Sequence, residues 1–138
     1  MTEATATEEH EREGFTVETF ARFWAKPQLD GAQVPLAEDV VGYWPGEDEP
    51  VRGRRAYVGV IAELLRRVPD LTLTVVESAT HGESLFILWT AHATGAGGRA
   101  IEQTGVDRIK VRDGQVIENR IFFDRGQFER KLGTSLAL

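Results

Sequence analysis

Asp107 lies in GVDRIKV, where strand alternation puts it on one face with Gly105, Ile109 and Val111. A carboxyl among apolar neighbours is penalised in its charged form, so its pKa rises. Kept protonated near neutral pH, it can donate a hydrogen bond to a developing oxyanion or serve as a general acid. The competing reading is an Asp satisfied by Asn119 or by backbone, or one at the solvated rim of a sheet. Asn119, in the following segment, orients Asp107, holds a substrate carbonyl, or simply satisfies a buried carboxyl. Asp107 and Asn119 are therefore the candidate catalytic pair.

Around them the chain is rich in aromatic residues. Most large apolar side chains at helix and strand periods are core. An apolar pocket with few polar groups is also the usual form of a small-molecule site, and buried tyrosine hydroxyls need partners. Trp24, Tyr43, Trp44, Tyr57, Trp89, Ile121 and Phe123 are the candidate ligand-binding residues, Tyr43 and Tyr57 as donors. His92 alternates with the apolar set Leu85, Ile87, Trp89, Ala91 and Ala93, which places Trp89 in the interior and His92 outside it. Adjacent Glu38 and Asp39 point in different directions on a helix and read as surface. GAGG at 95–98 lies between strands with no helix after it, so it reads as a turn and not a phosphate loop.

These residues need elements to hold them. Thr16 can cap a helix, with Phe15 and Phe20 as a staple, and Val17, Phe20, Ala21 and Trp24 form one apolar stripe before Pro27. PLAED at 35–39 is consistent with a short helix, and VVGYWP with an extended segment after it. Tyr57, Val60, Ile61, Leu64 and Val68 keep helical spacing over 54–68, with Arg66 and Arg67 complementing the C-terminal dipole. After Pro69 the chain reads as strands: LTLTVVESA, LFILWTAHAT, AIEQTGVDRIKV and QVIENRIFF. Charge parity in the last hairpin predicts a three-residue turn with Gly114 in the left-handed position, setting Asp107 opposite Asn119 and beside Ile121. Helices followed by a curled antiparallel sheet describe an α+β fold with the helices over the concave face. On the outer face Phe86, Leu88, Val106 and Phe122 form an apolar patch, which implies either a homodimer through the sheet or a second layer of core.

The 138 residues suffice for one domain, expected over 15–138 after a mobile acidic tail at 1–14. A net charge of -6 argues against nucleic acid as a partner. The absence of cysteine removes thiolate and disulfide chemistry, and the three histidines show no metal-ligand spacing, so no metal or other cofactor is expected. No Gly-x-Ser-x-Gly elbow or Ser-His-Asp order is present. Neither a secretion signal nor a long apolar run appears, which predicts a cytoplasmic protein without a membrane partner.

The string VRGRRAYVGVIAELLRRVPDLTLTV, followed by hairpins and closing with VRDGQVIENRIFFDRGQFERKLG, resembles the SnoaL-like branch of the nuclear-transport-factor-two-like superfamily. The resemblance rests on a Gly before the main helix, a Pro-Asp before the first long strand, an Asp-Gly turn and an aromatic-Asp end to the last strand. It covers nearly everything from Phe15 to Gly133. It implies a cone-shaped, cystatin-like α+β barrel with an apolar cavity, commonly a homodimer, in a family that includes polyketide cyclases, ketosteroid isomerases and limonene epoxide hydrolases. By the same resemblance the cyclases' catalytic Asp, three residues before the closing Asp124, falls on Ile121, as does the epoxide hydrolases' acid. The cyclases' pocket His falls on Asp107, a position similar to the oxyanion-hole Asp of the isomerases, and the isomerases' base falls near Trp44. The expectation is a cofactor-independent enzyme that binds a hydrophobic, cyclic, carbonyl-bearing molecule and promotes cyclisation, isomerisation or dehydration. The alternative is a non-catalytic ligand-binding or dimerisation module.

Overall fold

A computed structural model describes residues 14–29 and 34–136. The stretch expected to form an acidic tail lies outside the described residues except for Gly14, which sits against Gly114 in the last hairpin turn. The amide of Phe15 donates to the Gly114 carbonyl at 2.8 Å.

Helix α1 spans Val17–Ala25. Its capping box is formed by two threonines: the Thr19 amide donates to Thr16 Oγ1, and the Thr16 amide to Thr19 Oγ1. These bonds satisfy amides that have no partner within the helix. Strands β1 (Leu36–Tyr43) and β2 (Val51–Arg52) follow, then helix α2 (Arg54–Arg67). The start of α2 has Gly53 as its cap and no side-chain cap bond. Instead the Arg54 guanidinium donates twice to the Leu36 carbonyl, at 3.1 and 2.9 Å, which ties the helix to β1. Three long strands, β3 (Thr72–His81), β4 (Ser84–Thr94) and β5 (Ala100–Arg112), precede β6 (Gln115–Phe122) and helix α3 (Arg125–Leu132).

The six strands form one curved, unclosed sheet in the order β2-β1-β6-β5-β4-β3. It is mixed rather than purely antiparallel, because β1 runs parallel to β6. Helices α1 and α2 pack on β3 and on β1–β2, and α3 on β5. Irregularities in β1 between Leu36 and Val41, in β3 between Val75 and Glu77, and in β6 opposite Lys110–Val111 bend the strands, as bulges do. The α+β class with helices over a concave face agrees with the sequence reading.

Three local expectations are corrected. PLAED begins strand β1, not a short helix: Leu36, Ala37 and Val40 are buried and Leu36 pairs with Val116, so sheet pairing overrides local helical tolerance. The end of the chain forms α3, which strand alternation does not reveal. Asp124 caps it by accepting from the Gln127 amide at 2.9 Å, and its inner side buries Phe128 and Leu132. The last hairpin closes with two residues, Asp113 (φ 51°) and Gly114 (φ 76°), both left-handed, while the extra residue lies one step further on at Ile117. Parity is preserved, but the register moves by two: Asp107 faces Ile121, and Asn119 faces Ile109.

Candidate functional site

Between the helices and the concave sheet lies a cavity of about 220 Å³. Its wall includes Trp24 of α1, Tyr57 of α2, Trp89 of β4, Trp44 after β1, and Ile121 and Phe123 at the end of the sheet. Asp107 of β5 and Asn119 of β6 are the polar pair in this wall, 6% and 4% exposed. Among the described residues Asp107 is the single acidic side chain lining it.

Two glycines give the aromatic residues their places. Gly105 faces Trp89 across the β4–β5 ladder, and a Cβ there would stand 2.3 Å from the indole. The indole can therefore lie over β5 and reach beyond its own partner to the next inward residue, Asp107. Gly42 plays the same part on β1: a Cβ would stand 2.1 Å from Trp44 and 2.9 Å from Tyr57. Trp44 and Tyr57 fill that space with ring centroids 5.0 Å apart. An isolated glycine inside a strand often marks such a close approach, a signal present in the sequence at both positions.

The polar groups form one chain of bonds. Trp89 Nε1 donates to Asp107 Oδ1 at 2.8 Å, and Asn119 Nδ2 donates to Asp107 Oδ2 at 2.9 Å. The same amide nitrogen donates to the Tyr57 hydroxyl at 3.0 Å. Among the described residues no group receives the Tyr57 phenol proton, which leaves that hydroxyl a donor for a ligand. Burial pushes the Asp107 carboxyl up to about 6, against the opposing effects of the Asn119 and Trp89 donors. Burial likewise raises Tyr57, which the Asn119 bond opposes and the nearby Asp107 charge reinforces, so the phenol stays protonated at neutral pH.

The two arginines at the cavity are already engaged. Arg54 is bonded to the Leu36 carbonyl, and Arg125 Nη1 donates to the Pro45 carbonyl at 2.9 Å and to Glu47 at 2.6 Å.

The structure thus brings together Asp107, Asn119, Trp24, Trp44, Tyr57, Trp89, Ile121 and Phe123 around one cavity. Tyr43 is the exception. Gly42 occupies the inward position of β1, so alternation turns Tyr43 to the outer face, where the Arg120 guanidinium lies 3.8 Å from its ring centroid. His92 also faces outward, with Nδ1 3.6 Å from Glu102. Asn119 reaches Asp107 along a diagonal, not from directly opposite. Sequence reasoning missed the bond from Trp89 to Asp107, since alternation identifies an inward Trp without showing where its indole nitrogen ends. Among the described residues no three His, Asp or Glu side chains converge as metal ligands, and no helix is long and apolar enough to cross a membrane.

Comparison with known proteins places this geometry in context. A putative SnoaL-like polyketide cyclase from Jannaschia sp. CCS1 is similar over 96% of this chain and 97% of that one, with 18% identity and a TM-score of 0.72. IdmH, a putative polyketide cyclase from Streptomyces antibioticus, is similar over 86% of this chain and 96% of its own, with 24% identity and a TM-score of 0.72. A protein with a ketosteroid isomerase-like fold from Catenulispora acidiphila DSM 44928 reaches a TM-score of 0.74 at 12% identity, over 88% and 95% of the two chains. These likenesses establish the shared fold. No curated protein matches the sequence. The family model of the SnoaL-like domain matches residues 17–119, from the first turn of α1 to Asn119 itself, and the chain belongs to the SnoaL-like family.

Proposed function

We propose that this protein is an enzyme that moves a proton on a hydrophobic, cyclic, carbonyl-bearing small molecule, with Asp107 as the proton acceptor. The observation that carries this reading is the position of Asp107: a buried carboxyl in the cavity wall, bonded at each oxygen and shifted to about 6. At pH 7 a group with that pKa is ionised in roughly nine molecules of ten, so it takes a proton more readily than it gives one. The role as acid or oxyanion donor, favoured by apolar strand neighbours alone, passes to Tyr57, whose hydroxyl proton is free to bind a carbonyl oxygen.

The chemistry follows from that pairing. Asp107 removes a proton from the carbon next to the carbonyl. The electrons of the broken C–H bond form the C=C bond of an enolate, and the negative charge on oxygen is held by the Tyr57 hydroxyl. In a ketone with a neighbouring C=C bond the enolate is a dienolate, and return of the proton at the far carbon of that bond gives an isomer. Attack of the enolate carbon on a second carbonyl of the same molecule closes a ring, breaking that carbonyl's π bond to leave an alkoxide that takes back the proton held by Asp107. Asn119 positions both groups through one amide nitrogen, and the apolar wall excludes water from the enolate.

The test is deuterium uptake next to the carbonyl in D2O, followed by NMR over a panel of hydrophobic cyclic ketones. A protein-dependent rate that rises as pH passes 6 and disappears in Asp107→Asn supports the enzyme. Saturable binding with no exchange above the buffer rate in either protein supports the second reading, a ligand-binding module. That reading draws on Trp44 and Ile121, apolar side chains in the cavity wall where the family resemblance put acids.

The outer sheet face supports a homodimer within the same proposal. Phe86 and Phe122 are 42% and 57% exposed there, with Leu88 and Val106 between them in adjacent register. The paired charges Arg108 and Glu118 beside this patch suit a self-complementary contact. A cytoplasmic location completes the proposal.

A further inference from the structure

The wall of the cavity is polarised. Asp107 is its buried charge, held at both oxygens by Trp89 and Asn119. Arg54 lines the same cavity from the first turn of α2, where its side chain is exposed at the rim. Arg54 and Tyr57 stand three residues apart and both line the cavity, so they are neighbours on one face of the helix, with Cβ atoms roughly 5 to 6 Å apart.

The Arg54 guanidinium is fixed in place with half of its donors unused. Of the five N–H groups of an arginine, one on Nε and one on Nη2 go to the Leu36 carbonyl, at 3.1 and 2.9 Å. These two bonds take the side edge of the group and set its plane. Its end, the Nη1–Nη2 pair, is left as a fork of two parallel donors. Among the described residues Arg54 has no ion-pair partner, although acidic side chains outnumber basic ones 22 to 16 in the chain. Arg125, the other arginine of the wall, has Glu47 at 2.6 Å and Glu129 at 3.6 Å. The start of α2 adds to the uncompensated charge. Its first turn contains no acidic residue and its cap, Gly53, offers no side-chain bond, so the positive end of the helix dipole lies unopposed beside Arg54. A two-donor fork on a planar cation matches the two coplanar oxygens of a carboxylate.

We propose that the cavity binds an amphipathic carboxylate, its apolar body among the aromatic side chains and its two oxygens on the Nη1–Nη2 fork of Arg54. The inference rests on the cavity being the ligand site, which the enzyme and the binding-module readings share. In the enzyme reading it adds a carboxylate to the carbonyl-bearing molecule and orients its body towards Tyr57 and Asp107.

The test measures dissociation constants by calorimetry at pH 7.5 for 2-naphthoate, 2-naphthylacetate and 3-(2-naphthyl)propionate, each beside its neutral carboxamide. The three chain lengths sample the reach from the aromatic wall to the fork. For at least one length the acid should bind about fivefold or more tightly than its amide, the gain of a well-aligned exposed pair. Raising NaCl to 0.5 M should shrink that preference. In Arg54→Gln the preference should vanish while amide binding, which reports an intact cavity, changes by less than about twofold. Arg54→Lys keeps the charge without the fork and should retain only part of the preference, and it decides the matter if Arg54→Gln does not fold. No acid preference at any length, a preference undiminished in a variant that folds, or no saturable binding by any probe overturns the proposal. Deuterium uptake by the ketone panel is read separately. Uptake without an acid preference overturns this inference and leaves the proposed reaction standing, whereas an acid preference without uptake upholds the inference and favours the binding module.

Discussion

The indole of Trp89 donates to the carboxylate of Asp107 at 2.8 Å although the two residues are not partners across the β4–β5 ladder. Trp89 faces Gly105, and Asp107 faces Ile87. The bond exists because a residue without a side chain lets the indole cross to the neighbouring inward position. A buried carboxyl is thereby held at one oxygen by a rigid aromatic donor and at the other by Asn119.

The first prediction concerns pH and stability. Asp107 has an ordinary value of 3.8 and a folded value of about 6, so the folded protein holds a proton that the unfolded chain has released between those values. Stability from this group is complete below 3.8 and is lost as pH rises through 6. In Asp107→Asn this dependence is removed. The stability of the variant relative to wild type should therefore increase by about 2.4 kcal/mol between pH 4 and pH 7.5. Urea unfolding at the two pH values measures it, and a constant difference would mean that the carboxyl is not shifted.

Replacing the indole tests the donor without emptying its site. Trp89→Phe removes the N–H that lowers the Asp107 pKa and keeps an aromatic ring beside Phe123. The midpoint of the pH–rate profile should move upward. The loss of a hydrogen bond to a charged group costs roughly 1.5 to 3 kcal/mol above pH 7, added to the packing lost with the smaller ring. The charge-dependent part should vanish at pH 4, where the folded carboxyl is protonated in wild type and variant alike. A profile midpoint that stays at 6 would show that the Trp89 bond does not govern the carboxyl.

Gly105→Ala puts a Cβ 2.3 Å from the Trp89 ring, with the Phe122 carbonyl 2.9 Å away on another side. Backbone and a large ring cannot both withdraw, so overpacking should cost about 1 to 3 kcal/mol. It should also move the indole away from Asp107. Thermal unfolding and quenching of Trp fluorescence across pH 5 to 7 read the two effects separately; a variant as stable as wild type with unchanged fluorescence titration would contradict the packing described.

On the outer face, Phe122→Glu places a charge at the most exposed aromatic of the sheet. Wild type should sediment as a dimer and this variant as a monomer with the cavity intact, since Phe122 is absent from its wall. A wild type that sediments as a monomer would leave Phe86 and Phe122 as ordinary surface.

Alternation and helical spacing were enough to separate the inner from the outer face. Leu85, Ile87, Trp89, Ala91 and Ala93 are all buried, as their parity requires, while Phe86 is exposed and His92 faces out. Such patterns are legible because strand side chains repeat every two residues and helix stripes every three to four. Features that depend on which chain segment lies alongside were less legible. Leu36–Tyr43 became a strand because β6 offered a parallel edge, and Tyr43 left the pocket because Gly42 took the inward place. Arg125–Leu132 became a helix on the strength of the Asp124 cap and the burial of Phe128 and Leu132.

By itself, then, the sequence determined the α+β class, the inward face of the long strands and the membership of Asp107 and Asn119 in one neighbourhood. Only the tertiary structure decided that Trp89 and Tyr57, 32 positions apart in the chain, meet this pair from opposite elements. It also decided the size of the space they enclose. Periodicity fixes the direction of a side chain relative to its own backbone, whereas a hydrogen bond between distant residues needs the relative placement of two elements, which packing sets.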